Sequence, residues 1–165
     1  MENKTKKLVL AAIFAAITCA GTLITIPVPV TNGYVNLGDC VVLLSGWVLG
    51  PAYGFLAAAI GSSLADLILG FGLYAPATFV IKGLMALVTY FVFKLLGKNR
   101  KSLLPRIVSA LAAEIIMVSG YTAFETITYG FGGAIVNVVG NIVQGAFGII
   151  AGTLLINAFV KKKLI

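Results

Sequence analysis

The chain has 165 residues, of which 60% are hydrophobic and only 10% are charged, and its mean hydropathy is +1.08. A soluble domain of this length cannot cover so much apolar surface, so the composition predicts an integral membrane protein. The net charge of +7 does not indicate nucleic-acid binding, because most basic residues flank apolar runs. They form three clusters, which are Lys4, Lys6 and Lys7, then Lys94 through Arg106, then Lys161 to Lys163. We therefore expect contact with the lipid bilayer and no nucleic-acid partner.

Apolar runs follow one another along the chain with short connections. They cover Leu8 to Ile26, 37–69, 77–96, 107–124 and 134–160. The second run is either one over-long helix or two helices divided at Gly50-Pro51, where proline removes a backbone donor and restricts the preceding residue. If all three basic clusters face the cytoplasm, an even number of crossings separates Lys7 from Lys94, and that requires the division.

The predicted fold is therefore all-α: a bundle of six transmembrane helices with cytoplasmic N and C termini, forming a single integral membrane domain over residues 1–165. The second helix, at about 37–50, rises only about 21 Å and is short for a hydrocarbon core about 30 Å thick. Neighbouring helices must shield it, or it begins inside a re-entrant loop.

Four charged residues fall at nearly one depth in this topology, in the outer half of the bundle. They are Asp39, Asp66, Lys82 and Glu125. A charged side chain within a membrane needs a partner or a task. For Asp66 and Lys82, a structural ion pair between helices three and four and direct ligand contact are both open. Asp39 is placed to cap helix two from its first turn and to interact with the helix dipole.

Polar residues also recur at helical spacing on the last two predicted helices, where they face inward. Together with loop residues and Lys82 they suit a small, hydrogen-bonding organic molecule, and the tyrosines offer flat faces to an aromatic ring. The candidate substrate-binding residues are Tyr34, Asn36, Tyr74, Lys82, Glu114, Tyr121, Glu125, Asn137, Asn141 and Gln144. Hydrogen bonding between helices explains the amides of helix six almost as well.

Helix one has a different character, because Ala12, Ala16 and Ala20 recur every four residues. Such a smooth face lets another helix approach closely. The spacing leaves open whether the approaching helix belongs to a partner protein or to the same bundle.

Motifs that carry chemistry are missing from the sequence. There is no phosphate-binding glycine loop and no nucleophile with a general base. No histidine is present, and Cys19 and Cys40 lack the spacing of metal ligands. We therefore expect no enzyme activity, no catalytic residues, no cofactor and no metal site. A small bundle with a polar cavity and no energy source of its own suggests a binding component that depends on other subunits.

Three stretches carry a resemblance to a known family: "YVNLGD", followed by "VVLLSGWVLGPAYGFLAAAIGSSLADLILG", and later "LYAPATFVIKGLMAL". With the basic start, the alanine-rich first helix and the basic tail, the chain resembles the substrate-binding S components of energy-coupling factor (ECF) vitamin transporters over nearly its whole length. The last two stretches are similar to the branch that contains riboflavin-type, pyridoxine and hydroxymethylpyrimidine carriers.

The resemblance implies a multi-pass protein of the bacterial cell membrane that captures a vitamin or vitamin precursor from outside. It implies assembly with a membrane scaffold (T) subunit and two cytoplasmic ATPases, and delivery of the ligand by toppling in the bilayer. The scaffold-binding face of the family's first helix matches Ala12, Ala16 and Ala20. The polar inventory favours a pyridoxine-like compound or hydroxymethylpyrimidine, with riboflavin as the alternative. Outside the family, an autonomous channel or proton-coupled carrier and a purely structural membrane subunit remain as alternatives.

Overall fold

The computed structural model describes residues 4–27, 34–97 and 102–161. Within them the chain forms six helices and one short antiparallel β-hairpin. These elements are α1 (Lys4–Leu23), β1 (Thr25–Pro27), β2 (Tyr34–Asn36), α2 (Gly38–Leu49), α3 (Pro51–Ile68), α4 (Ala75–Leu95), α5 (Leu103–Tyr129) and α6 (Phe131–Lys161). All of the helices except α2 are long and apolar enough to cross a membrane. The predicted all-α bundle of six helices is confirmed.

The division of the second apolar run falls where proline chemistry requires it. Gly50 has φ of 83°, a left-handed conformation that ends α2, and Pro51 is the first residue of α3. A proline in the first turn of a helix loses no hydrogen bond, because the first N–H groups have no acceptor within the helix. The Gly50-Pro51 pair therefore ends one helix and begins the next.

The short helix α2 is shielded by its neighbours, as its length requires. It has 12 residues, which corresponds to about 18 Å of rise. It packs against α1, α3, α4 and α6, and every residue from Gly38 to Trp47 is buried. The approach to α4 is close, since a Cβ added at Gly46 would lie 2.6 Å from the carbonyl oxygen of Ala86.

The helices alternate in direction, so the bundle has two distinct ends. At the hairpin end, α1, α3 and α5 finish while α2, α4 and α6 begin, and the β-hairpin lies there. At the basic end, α1 begins and α6 finishes. The described basic residues at that end are Lys4, Lys6, Lys7, Lys94, Arg106 and Lys161.

An apolar core fills the half of the bundle nearer the basic end. Trp47 is 1% exposed and Phe93 is fully buried, and their ring centroids lie 6.5 Å apart. The indole N–H of Trp47 donates to Ser109 Oγ at 2.9 Å, so its polar atom is satisfied. At the same end, the guanidinium of buried Arg106 donates to Asn157 Oδ1, which joins α5 to α6.

The β-hairpin was not predicted from the sequence. Its register pairs Thr25 with Asn36 and Ile26 with Val35. Each strand has only three residues, too few for an alternating pattern to be recognised. Leu37 N–H donates to Gly21 O at 3.1 Å, so the backbone after β2 is also bonded to the last turn of α1.

Candidate functional site

A partly open cavity of about 120 Å³ lies at the hairpin end. Helices α1, α3, α4, α5 and α6, strand β2 and the turn between α3 and α4 contribute to its walls. The side chains around it are largely polar, although the surrounding bundle is apolar. The lining residues are Thr22, Asn36, Ser62, Asp66, Phe71, Tyr74, Thr78, Lys82, Tyr121, Glu125, Asn137, Gly140, Asn141 and Gln144.

A chain of four hydrogen-bonded side chains forms the floor of this cavity. Asn36 Nδ2 donates to Gln144 Oε1 at 3.2 Å, and Gln144 Nε2 donates to Asp39 Oδ2 at 2.7 Å. Asp39 Oδ1 in turn forms an ion pair with Lys82 Nζ. Because these residues come from β2, α6, α2 and α4, the chain fixes four elements relative to one another.

The ion pair corrects one prediction. Lys82 pairs with Asp39, and the predicted Asp66–Lys82 ion pair is not formed among the described residues. The sequence-based prediction paired Lys82 with Asp66, which lies on α3. Burial of α2 in the centre of the bundle brings Asp39 to Lys82 instead.

The same geometry corrects the predicted capping role of Asp39. The residue before the helix is Leu37, and no side chain caps α2 at that position. Asp39 lies inside the first turn, and its side chain is directed sideways to Lys82 and Gln144. Asn36 Oδ1 accepts the N–H of Gly38 at 2.8 Å, so it satisfies one of the free donors of the first turn.

Aromatic side chains surround the part of the cavity nearest the α3–α4 turn. The ring of Tyr74 lies 6.3 Å from that of Phe71 and 5.2 Å from that of Phe124, in edge-on contacts. Its hydroxyl donates to Glu125 Oε1 at 3.3 Å. Burial, together with Tyr129 and Glu125, raises the pKa of the Tyr74 phenol, so it remains a protonated donor.

Several cavity-lining side chains keep a buried polar atom without a hydrogen-bond partner in the described part of the chain. They are Ser62 Oγ, Asp66 Oδ2, Glu125 Oε2 and Asn141 Nδ2. Buried polar atoms are normally paired, and leaving one unpaired costs about 1–3 kcal/mol. Four such atoms around one cavity indicate that it is built to receive polar groups from a ligand.

The structure brings most of the predicted substrate-binding residues together. Those that line the cavity are Asn36, Tyr74, Lys82, Tyr121, Glu125, Asn137, Asn141 and Gln144. The side chain of Tyr34 lies outside the described part of the structure. Glu114 does not reach the cavity, because it lies seven residues, or about 10 Å along α5, beyond Tyr121.

Glu114 lies beneath the floor, buried against α6. Cβ atoms added at Gly145 and Gly148 would lie 3.1 and 3.0 Å from its carboxyl oxygens. Neither oxygen has a hydrogen-bond partner among the described residues. Its nearest charged neighbours are Asp39 and Lys82, so it belongs to the surroundings of that ion pair.

The prediction missed Thr22, Ser62, Phe71, Thr78 and Gly140. For two of them, the sequence contained a spacing that could have identified them. Ser62 precedes Asp66 by four residues on α3, and Thr78 precedes Lys82 by four residues on α4. Residues at that spacing share a helix face. Thr78 Oγ1 and the Tyr121 hydroxyl lie 2.9 Å apart, which joins α4 to α5 across the cavity wall.

A second concave surface, wholly different in character, lies between α1 and α3. Ala12 and Ala16 are exposed and line it, while Ala11 is buried against α3. Ala20 is exposed on the same helix but does not line this groove. The remaining lining residues are almost all apolar, and they are Leu8, Ala15, Tyr53, Leu56, Ala57, Ile60, Gly61 and Leu64.

Comparison with known proteins identifies the family of this bundle. A family model described as "ECF-type riboflavin transporter, S component" matches residues 2–161. The chain belongs to this family of S components. It is therefore a multi-pass membrane protein of vitamin transport and not an enzyme.

Solved S components share the fold. The S component of a bacterial ECF transporter has a TM-score of 0.76 at 19% identity, covering 96% of this chain and 98% of that one. The S component for biotin from an ECF-type ABC transporter has a TM-score of 0.70 at 20% identity, covering 100% and 95%.

Two relatives have clearer sequence similarity. The thiamine precursor transporter HmpT of Lactococcus lactis subsp. cremoris (strain MG1363) is 31% identical over 158 residues, which cover 94% of this chain and 89% of that protein. A protein of Pyrococcus woesei, described as uncharacterized, is 36% identical over 137 residues, which cover 83% and 89%.

Proposed function

We propose that this S component captures a single-ring heterocycle, of the hydroxymethylpyrimidine or pyridoxine type, in the cavity at the hairpin end. The supporting observation is the cavity itself, which combines a volume of about 120 Å³ with four unpartnered polar atoms. An apolar protein cavity of about 150 Å³ holds one benzene molecule. The available space therefore suits one six-membered ring with small polar substituents.

Riboflavin, which the family description names, suits this cavity less well. Its three fused rings and sugar-like chain need several times the volume of one ring. Phe71, Tyr74 and Tyr121 supply the aromatic side chains of the lining, which is enough to contact one ring on its face and edge. The name of the relative HmpT, a thiamine precursor transporter, agrees with a small ligand.

The proposal includes the orientation of the protein in the membrane and the role of each partner subunit. With the basic end in the cytoplasm, the cavity faces the outer side, where the ligand is captured. A membrane T subunit and two cytoplasmic ATPases would supply the energy, and toppling of the bundle would deliver the ligand inside. In this proposal the groove between α1 and α3 receives the T subunit, because its small residues allow close helix contact.

The experiment that tests ligand capture is a thermal-shift screen of the purified, ligand-free chain in detergent. The compounds are pyridoxine, pyridoxal, hydroxymethylpyrimidine, thiamine and riboflavin. We expect one single-ring compound to raise the Tm strongly, because a ligand that binds only the folded state at 100 times its Kd stabilises by about 2.7 kcal/mol. A larger shift with riboflavin would refute the single-ring proposal, and no shift in folded protein would refute ligand capture.

Reconstitution separates this function from an autonomous channel or carrier. Liposomes that contain the chain alone should bind the identified ligand but not accumulate it, and uptake should require the T subunit, both ATPases and ATP. Uptake by the chain alone would support the autonomous alternative. If the folded protein binds none of the compounds, that result would favour a purely structural membrane subunit.

Ala16→Leu tests the partner interface. A leucine would fill the groove between α1 and α3, so we expect co-purification with the T subunit to fall by at least about tenfold. Ligand affinity should not change, because Ala16 is remote from the cavity lining. The control is Ile17→Leu, which replaces one large exposed side chain with another on the same helix. Normal assembly of the Ala16 variant would contradict the assignment.

A further inference from the structure

Of the charged side chains that line the cavity, the lysine has an ion-pair partner and the two carboxyl groups have none among the described residues. Three charged side chains line it, from Asp66, Lys82 and Glu125. Lys82 is neutralised by Asp39 within the floor and donates also to Met117 Sδ at 3.2 Å. Asp66 and Glu125 have no cationic side chain within ion-pair distance in the part of the chain that the structure describes. The lining therefore has two carboxyl groups that form no ion pair with any described side chain.

The unpartnered polar atoms of these side chains include more hydrogen-bond acceptors than donors. Asp66 Oδ2 on α3 and Glu125 Oε2 on α5 are unpartnered acceptors when the groups are ionised, while Asn141 Nδ2 on α6 is an unpartnered donor. Two buried carboxyl groups are destabilising unless a partner supplies donors or positive charge. Asn141 needs an acceptor from the same partner.

We infer that the cavity selects a basic, amino-bearing heterocycle, which presents N–H donors to Asp66 and Glu125 and an acceptor atom to Asn141. This inference rests on the proposed function and narrows its ligand class. A ring nitrogen next to an exocyclic amino group is especially well matched. In its protonated form, that edge offers two parallel N–H donors to one carboxylate, in the manner of a guanidinium group.

The same charges discriminate against acidic vitamins. A carboxylate on the ligand would face Asp66 and Glu125, and juxtaposed like charges are unfavourable in a site with little water. It could gain Lys82 only by competing with Asp39, which already holds the ammonium in an ion pair. An alcohol is intermediate, since a hydroxyl can donate one hydrogen bond but cannot balance charge.

Two matched ligand series test the inference on the unaltered chain. In the first, hydroxymethylpyrimidine is compared with its deamino analogue, in which hydrogen replaces the exocyclic amino group. In the second, pyridoxamine, pyridoxine and pyridoxic acid place an amine, an alcohol and a carboxylate on the same ring. Titration calorimetry in detergent should give at least about tenfold tighter binding for the amine in whichever series binds, because a charge-assisted hydrogen bond is lost without it.

Two isosteric variants test which carboxyl group causes the preference for an amino-bearing ligand. Glu125→Gln and Asp66→Asn keep the shape of the wall but remove a carboxylate, so at least one should reduce the preference for the amine by about tenfold. Ser62→Ala is the matched control, because Ser62 is a neutral lining residue one turn from Asp66. It should weaken both members of a pair equally and leave their ratio unchanged.

The outcomes separate the inference from the proposed function. Equal or tighter binding of the deamino, alcohol or acid member overturns the inference, and so does an unchanged preference in both carboxyl variants. In those cases a single-ring ligand is still captured and the proposed function stands. If only riboflavin binds, or none of the compounds binds to folded protein, the proposed function itself fails.

Discussion

The two halves of the bundle differ in the side chains that they bury. Near the basic end, Trp47, Phe93 and their neighbours pack as an apolar core, in which the indole N–H of Trp47 is paired with Ser109. Near the hairpin end, carboxyl, amide and hydroxyl groups surround a cavity, and four of their polar atoms have no partner among the described residues. The first half contributes stability, and the second keeps binding capacity for a ligand.

The difference shows how a small membrane protein can be stable and still carry an unsatisfied site. Within a bilayer, dispersion and close packing stabilise helix contacts, while unpaired polar groups are costly. Here four of the unpaired polar atoms line the cavity, and a layer of paired side chains lies between that cavity and the apolar core. That layer is the chain of Asn36, Gln144, Asp39 and Lys82.

Trp47→Ala should have the largest effect on stability and almost none on the cavity. Truncation of a buried aromatic residue costs about 3–5 kcal/mol, because it leaves a void and removes many contacts. We expect a lower Tm in detergent, with ligand affinity of the folded fraction unchanged. The control is Trp47→Phe, which keeps most of the volume and loses the hydrogen bond to Ser109. Weaker ligand binding in either variant would contradict the division into two halves.

Lys82→Met should affect both halves, because it breaks the layer between them. Loss of the ammonium leaves Asp39 buried without its cation, and removing one partner of a buried ion pair costs about 3 kcal/mol or more. The Tm should fall, and the double variant Lys82→Met with Asp39→Asn should recover most of the loss. No recovery would mean that Lys82 is needed for something other than its pair with Asp39. Recovery on replacing Asp66 instead would restore the original prediction.

Asn141→Ala should leave stability nearly unchanged and weaken only the ligand. The Nδ2 atom of Asn141 has no partner in the described structure, so its removal breaks no hydrogen bond of that atom. Ligand affinity should fall by about 1–3 kcal/mol, the usual effect of losing one buried polar contact. A clear drop in the Tm without ligand, or unchanged affinity, would assign Asn141 to helix packing.

Much of the fold could be predicted because membrane spans are determined locally. Hydrophobic length, the basic clusters and the Gly50-Pro51 pair each act within one or two turns of chain. The β-hairpin could not be predicted, since strands of three residues have no recognisable period. The sequence predicted that neighbouring helices shield the short helix α2, but not that α2 lies at the centre of the bundle.

Some residues of the candidate site could likewise be predicted from the sequence, and others could not. Periodicity on α5 and α6 placed Tyr121, Asn137 and Asn141 on inward faces, and all three line the cavity. The same stripe included Glu114, which the structure places beneath the floor, because a stripe specifies a face of a helix but not a depth within the bundle. Ser62 and Thr78 were missed, although each shares a helix face with a charged residue that was noticed.

By itself, the sequence determined that this is a membrane protein of six helices, which family it resembles, and where its polar residues concentrate. These properties depend on the composition and spacing of neighbouring residues. Only the tertiary structure decided that Asp39 pairs with Lys82, which polar atoms stay unpartnered, and how much space lies between them. Those properties depend on distances between side chains far apart in the chain, and packing of all six helices sets them.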